Sequence, residues 1–282
     1  MTDGFGIFYR RWRPVGEAER ALVCIHGLPG QSAQFDLIGQ GLAARGTEVY
    51  AIDLRGFGNS VEDGLERGDT KDFDRHLQDI DEVVGQVRKN HPGKRLFVLG
   101  YSVGGNYALW YAAGHPDSVD GLILVAPAIR RNSNIAAKDL LPFLFAVAFT
   151  PAKQFEMRAL LTEEIKKSDE TELLFGDPLI PKRLSARYLS GTRPLFTKAL
   201  GNASRVGEPT LILQGDRDIW VQPIGAKELF EALTVKDKSL RTLQGADHDF
   251  FKMFLPELAS GNNQANREEV MSIVNDWLKA RR

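Results

Sequence analysis

The sequence predicts an α/β protein built on an open, mostly parallel sheet with helices packed on both faces. Three observations carry this. Short β-rich runs alternate with segments of helical spacing, several of the runs are apolar almost throughout, and one of them leads through a glycine-flanked serine straight into a helix-like segment. Strand and helix in alternation imply parallel strands joined by helical crossovers, and apolar strands without polar alternation suit a sheet covered on both sides. In such sheets ligands bind beyond the carboxyl ends of the strands.

In chain order, the strands expected are residues 21–25, 48–52, 96–99, 121–125, 210–213 and 239–243, with helices over 33–44, 70–90, 105–113, 225–233 and 266–280. Residues 130–205 break the rhythm, with helix-like segments and loops but no strand. We read this stretch as an inserted helical lid and residues 1–129 with 206–282 as the core. Its apolar part, Leu140-Leu141-Pro142-Phe143-Leu144-Phe145-Ala146-Val147-Ala148-Phe149, is expected to lie apolar side down over the sheet, and Glu163-Glu164-Ile165-Lys166-Lys167 is expected to be a solvated face.

At 282 residues and 43% hydrophobic, the chain can bury one large core, so two independent domains are not required. Lys and Arg total 36 against 37 Asp and Glu, and no basic block is interleaved with aromatics, which argues against a nucleic-acid partner. Cys24 has no second cysteine to pair with, and within Ala21-Leu22-Val23-Cys24-Ile25 it reads as an inert core thiol. No signal-peptide-like or membrane-spanning run is present, so the expectation is a soluble, cytoplasmic protein without integral membrane association. The oligomeric state is not legible.

The chemistry centres on Gly100-Tyr101-Ser102-Val103-Gly104, which has the strand, sharp turn and helix of a nucleophile elbow. Gly100 and Gly104 let the helix pack close to the strand and leave a substrate carbonyl room to approach. A serine is a poor nucleophile alone, so a histidine base, an orienting carboxylate and oxyanion donors must be found. Of five histidines, His76 and His91 fall in or beside a charged helical stretch and are expected to be exposed, and His115 in Gly114-His115-Pro116 reads as a helix terminus. His248 lies in Gly245-Ala246-Asp247-His248-Asp249, just after the last strand, where a loop can aim it at Ser102.

The acid is expected after a strand between these two, and Gln214-Gly215-Asp216-Arg217-Asp218 follows one. Asp218 is the preferred residue, because the turn can carry it toward a neighbouring loop, while Asp216 shapes that turn. Its task is to accept the Nδ1 proton of the imidazole and fix its tautomer. For the oxyanion, the bend His26-Gly27-Leu28-Pro29-Gly30 follows the first buried strand; the Leu28 and Val103 N–H groups are the expected pair, with His26 and Gly27 structural.

His26-Gly27, Asp53-Leu54-Arg55-Gly56-Phe57-Gly58-Asn59-Ser60, the elbow, the Gly215-Asp216-Arg217-Asp218 turn and Asp247-His248 together resemble the α/β-hydrolase superfamily over the length from first strand to last helix. In that family Asp53 and Arg55 would belong to a scaffold loop near the site. The second glycine, Gly105, and the helical insertion make the chain similar to the serine aminopeptidase, monoacylglycerol lipase and lysophospholipase group. Serine at the elbow argues against the haloalkane dehalogenase branch, which has aspartate there.

The resemblance implies a serine hydrolase that cleaves a small carboxylic ester through an acyl-serine, with Ser102, Asp218 and His248 as triad and neither metal nor organic cofactor. The run ending at Phe149, with Phe175, Leu195 and Phe196, suggests a greasy, medium-chain acyl group such as that of a monoacylglycerol. Three alternatives stay open. They are an aminopeptidase using Glu163, Glu164, Asp169, Glu170 or Glu172 to hold an amino terminus, a carbon–carbon bond hydrolase, and a non-catalytic binding protein.

Overall fold

The computed structural model describes residues 1–132, 137–248 and 262–281; Asp249, the last residue of the His248 motif, and residues 133–136 lie outside the described residues. The first seven strands and their helices run β1 (Tyr9–Trp12), β2 (Arg20–Ile25), α1 (Asp36–Ala43), β3 (Thr47–Ile52), α2 (Arg75–Asn90), β4 (Arg95–Tyr101), α3 (Val103–Gly114), β5 (Gly121–Val125), α4 (Ala137–Phe149), β6 (Gln154–Glu156), α5 (Glu163–Lys166), α6 (Asp169–Gly176) and β7 (Arg183–Ser185). The chain continues through α7 (Ala186–Gly191), α8 (Arg193–Thr197), α9 (Ala199–Ala203), β8 (Thr210–Gly215), α10 (Ile224–Ala232), β9 (Lys238–Leu243) and α11 (Asn262–Lys279).

Seven strands form one sheet in the order β1-β3-β2-β4-β5-β8-β9, parallel throughout except for the antiparallel edge strand β1. From β2 the chain goes first to one side, into β3, and then to the other, into β4. The carboxyl ends of β2 and β4 therefore flank the point where winding reverses, and a crevice opens between their loops. Both strands are buried almost end to end, as the apolar run that follows the leading arginine of each requires.

Helix α2 buries His76, Ile80, Val83, Val84 and Val87, a stripe at helical spacing. Burial of this stripe on the sheet explains why a helix with so many charges forms here. On the opposite flank, α11 sets Trp277 edge-on to Phe97 at 5.7 Å. The side chain passes so close to Gly121 that a Cβ there would lie 2.7 Å from the indole.

Three expectations from sequence need correction. Strand β1 was not foreseen: Tyr9-Arg10-Arg11-Trp12 reads as polar, yet Arg11 pairs with Glu48 and lies over the Tyr50 ring on the neighbouring strand. The segment between β5 and β8 is not free of strands, since β6 and β7 pair as a short antiparallel ladder. Helix α4 does not lie apolar side down. Leu141 is 77% and Phe149 71% exposed, with Leu140, Leu144 and Phe145 also open to solvent, and Ala146 is buried. A run that is apolar all round has no period from which to read its inner face.

Candidate active site

Strand β4 ends at Tyr101 and α3 starts at Val103, so Ser102 alone makes the turn, at φ 53° and ψ −119°. A side chain at positive φ is strained and persists only where its surroundings hold it. They do so here through three hydrogen bonds. The Ser102 N–H donates to the Val125 carbonyl at 2.8 Å, and the Ser102 carbonyl accepts from the N–H groups of Gly105 (3.0 Å) and Ala128 (3.2 Å).

Close approach explains the glycines. A Cβ on Gly104 would lie 2.1 Å from the Ile25 carbonyl oxygen, and one on Gly100 2.3 Å from the Gly104 carbonyl oxygen. At Gly27 it would come within 3.1 Å of Ser102 Cβ, which is how near the bend after β2 passes to the serine.

The loop after β9 carries His248 to this turn, with Nε2 3.1 Å from Ser102 Oγ and Nδ1 2.7 Å from Asp218 Oδ2. Asp218 is buried and fully accepted: Oδ1 takes the Trp220 and Val221 N–H groups, each at 2.9 Å, and Oδ2 takes Gln214 Nε2 at 2.9 Å. An anionic carboxylate is stabilised by so many donors. It draws the imidazole proton to Nδ1, which leaves the Nε2 lone pair facing the serine hydroxyl. Asp216 instead accepts the Gly245 N–H at 2.7 Å.

Residues that sequence reasoning missed hold this arrangement in place. The His248 ring packs against Tyr101 at 5.2 Å and Trp220 at 5.8 Å, the latter nearly parallel. Tyr101 was visible inside the elbow, and Trp220 and Gln214 flank Asp218 in sequence. Gln34 accepts the Gly27 N–H at 3.2 Å and so supports the bend. Nothing in its sequence surroundings singled it out.

Among the described residues, neither the Leu28 nor the Val103 N–H donates to another protein group. Val103 opens α3, so its N–H belongs to the positive end of that helix. Beneath the bend, His26 donates from Nδ1 to the Gly27 carbonyl at 2.7 Å and accepts the Leu54 N–H at Nε2, 3.0 Å away. Its ring is neutral, and burial pulls its pKa below the ordinary value. Asp53 joins the same loops, accepting the N–H groups of Ser32 (2.6 Å) and Asn59 (2.8 Å), while Arg55 forks onto Asp79 with both bonds at 2.8 Å.

The other histidines lie away from Ser102, and two are not where sequence put them. His76 and His91 are buried, not exposed. His76 lies on the inner stripe of α2, and His91 ends that helix with Nε2 3.0 Å from the Tyr50 hydroxyl; the charged residues around them in sequence concealed that face. His115 caps α3 and bonds the Tyr111 carbonyl at 3.0 Å. Cys24 is buried in β2, where desolvation pushes its thiol pKa up and leaves it unreactive.

Ser102 opens into two cavities. One of about 100 Å³ is apolar, with Leu28, Met157, Leu161, Leu184, Leu189 and Phe196 in its wall. A smaller one of about 20 Å³, on the His248 side, is lined by Pro29, Gln34, Tyr101, Leu174 and Trp220. Phe175 and Leu195, which with Phe196 suggested a greasy acyl group, are buried and do not line the cavity, and the exposed side chains of α4 do not reach it. Among the described residues no carboxylate lines either cavity. Glu163 is engaged by Lys166 and Glu172 by Arg158 instead.

A serine on a strained elbow at the sheet's switch point, with a histidine and a buried carboxylate in line, defines an α/β-hydrolase, here a carboxylic ester hydrolase. Residues 16–252 match the family described as serine aminopeptidase, S33, and the chain belongs to that family. It is 29% identical to the monoglyceride lipase of Homo sapiens, over 99% of this chain and 89% of that protein. The monoacylglycerol lipase of Mycolicibacterium smegmatis is 25% identical, over 98% of this chain and 94% of the relative. Among solved structures, the monoacylglycerol lipase of Paleococcus ferrophilus superposes with a TM-score of 0.78 at 26% identity, covering 98% of this chain and all of the other.

Proposed function

We propose that the protein hydrolyses medium-chain acyl esters of the monoacylglycerol kind through an acyl-serine on Ser102. The observation that carries this is the hydrogen-bonded line from Ser102 through His248 to Asp218, opening into an apolar cavity. Ser102 Oγ bonds to the ester carbonyl carbon while its proton passes to His248 Nε2. Asp218 keeps the ring oriented and stabilises the imidazolium. The carbonyl oxygen, now an oxyanion, accepts from the Leu28 and Val103 N–H groups.

Collapse of the tetrahedral adduct breaks the bond to the alcohol oxygen, which leaves with the proton from His248. Water then repeats the sequence on the acyl-serine and frees the acid. The apolar cavity accommodates the acyl chain.

Residues 130–205 act as the lid in this reading, with the rest as core. Arg187 forks onto Asp69 at 2.6 and 2.5 Å, and Gln31 Nε2 donates to Asp177 at 2.6 Å, tethering the segment to the loops around the site. A free amino terminus finds no carboxylate in either cavity among the described residues, which favours an ester over a peptide substrate. Among the described residues no helix is long and apolar enough to cross a membrane. With a lone buried cysteine, this supports a cytoplasmic setting.

A series of monoacylglycerols and p-nitrophenyl esters of increasing chain length tests the reading. Rates should rise from acetate to medium chains and vanish in Ser102→Ala. An optimum at acetate would overturn the medium-chain assignment.

A further inference from the structure

Arg131 stands at the boundary between the Ser102 cavity and a second, open groove of about 500 Å³, and it lines both, as does Phe196. Its guanidinium carbon sits 3.8 Å from the centre of the Phe196 ring, a cation–π contact that places the group over the ring, and among the described residues its N–H groups meet no acceptor. The groove holds two arginines and one carboxylate, Glu228. That carboxylate is already committed, since Arg130 forks onto it at 2.7 and 3.0 Å.

Among the described residues Arg131 has neither an acid partner nor a hydrogen-bonded acceptor for its guanidinium. The side chain is exposed toward the groove, and the protein packed around it pulls its pKa below the ordinary value. Its place is set by the backbone, which bridges Val221, beside the loop that presents Asp218. Phe196 holds the cation between the reaction cavity and open solvent, and among the described residues no acid is paired with it.

We propose that Arg131, stacked on Phe196, is a subsite for an anionic oxygen group carried by the substrate at a distance from the scissile ester. The inference rests on Ser102 as the nucleophile and adds a substrate class: esters bearing a carboxylate or phosphate. The anion reaches Arg131 when the chain passes from the apolar cavity toward the groove, and the guanidinium fork takes it in paired charge-assisted hydrogen bonds. The group has two sources. It is the terminal carboxylate of a dicarboxylic half-ester, on the acyl side, or the phosphate of a lysophosphatidate, on the alcohol side.

Paired substrates test this. Mono-p-nitrophenyl adipate is compared with p-nitrophenyl hexanoate, and hexanoyl glycerol phosphate with hexanoyl glycerol, in native protein, Arg131→Gln and Arg131→Lys. In one pair, the ratio of kcat/KM for charged over neutral substrate should fall roughly tenfold or more in Arg131→Gln, mostly through KM, and recover in part in Arg131→Lys. Raising the ionic strength should erode the same ratio. The pair that responds identifies the source.

A ratio unchanged in both pairs overturns the subsite. Binding of adipate dianion to Ser102→Ala, by calorimetry, supplies a readout without turnover. It should be lost when Arg131→Gln is added, whereas ester turnover retained in Ser102→Ala with adipate binding intact would refute the acyl-serine reading and leave the anion site standing. No adipate binding, with no charged preference in either pair, refutes the site itself.

Discussion

Replacing Asp218 by asparagine keeps the volume of the side chain and reverses its message to His248. The Trp220 and Val221 N–H groups, both at 2.9 Å from Oδ1, hold the asparagine carbonyl oxygen in that position and so turn its amide nitrogen toward His248 Nδ1. An amide donates where the carboxylate accepted, so Nδ1 becomes the acceptor and the ring proton moves to Nε2. That nitrogen, 3.1 Å from Ser102 Oγ, then offers a proton instead of a lone pair.

The same amide also meets Gln214 Nε2, donor against donor, in place of the 2.9 Å bond that Oδ2 accepts. Loss of the correct tautomer in such a triad costs about 10⁴-fold in kcat, which corresponds to roughly 5 kcal/mol of transition-state stabilisation. The assay is kcat/KM on a medium-chain p-nitrophenyl ester, with circular dichroism and thermal unfolding to establish that the variant folds. The matched control is Asp216→Asn, whose bond is to the Gly245 N–H at 2.7 Å, and its activity should stay within about threefold of native. A folded Asp218→Asn that loses less than about tenfold, or an Asp216→Asn that loses as much, would refute the assignment of the acid.

Gly104→Ala forces a Cβ to within 2.1 Å of the Ile25 carbonyl oxygen, so strand β2 and helix α3 must separate. Overpacking of this kind costs about 3 kcal/mol and should lower Tm by roughly 5 to 10 °C in calorimetry. Leu189→Trp fills the apolar cavity and should move the optimum in an ester series toward shorter acyl chains, with acetate turnover retained. Stability should fall as pH drops below about 6.5, because burial depresses the pKa of His26 and the unfolded chain then binds a proton that the folded one refuses. The slope is at most about 1.4 kcal/mol per pH unit for this histidine, read from urea unfolding, and a His26→Asn variant that folds should lose that share of it.

What the sequence carried and what it did not divide along physical lines. Ser102, His248 and Asp218 each follow a strand, and parallel strands deliver their carboxyl ends to one side of the sheet, so spacing alone could bring the three residues together. The choice between Asp216 and Asp218 rested on turn geometry, which is local. Strand β1 was invisible because Arg10 and Arg11 argue against a strand until Glu48 and Tyr50 supply Arg11 with partners across the ladder.

The inner face of the apolar run in α4 was misread for a related reason. Leu184 and Leu189 line the Ser102 cavity by virtue of how the chain between β5 and β8 folds back, while the more apolar run through Phe145 and Phe149 faces solvent. Hydrophobicity ranks segments, but tertiary packing decides which face turns inward. Gln34 and Trp220 act across the chain, one propping the Gly27 bend and one stacking on His248, and neither type of residue marks such a role by spacing.

The central claim is that Ser102 is an activated nucleophile, and covalent labelling tests it most directly. Native protein and Ser102→Ala are each incubated with a fluorophosphonate and analysed by intact mass and peptide mapping. The account predicts a single adduct on native protein, located on Ser102, and none on Ser102→Ala. A folded native protein that stays unlabelled at saturating probe, or a Ser102→Ala variant that labels equally, would contradict it.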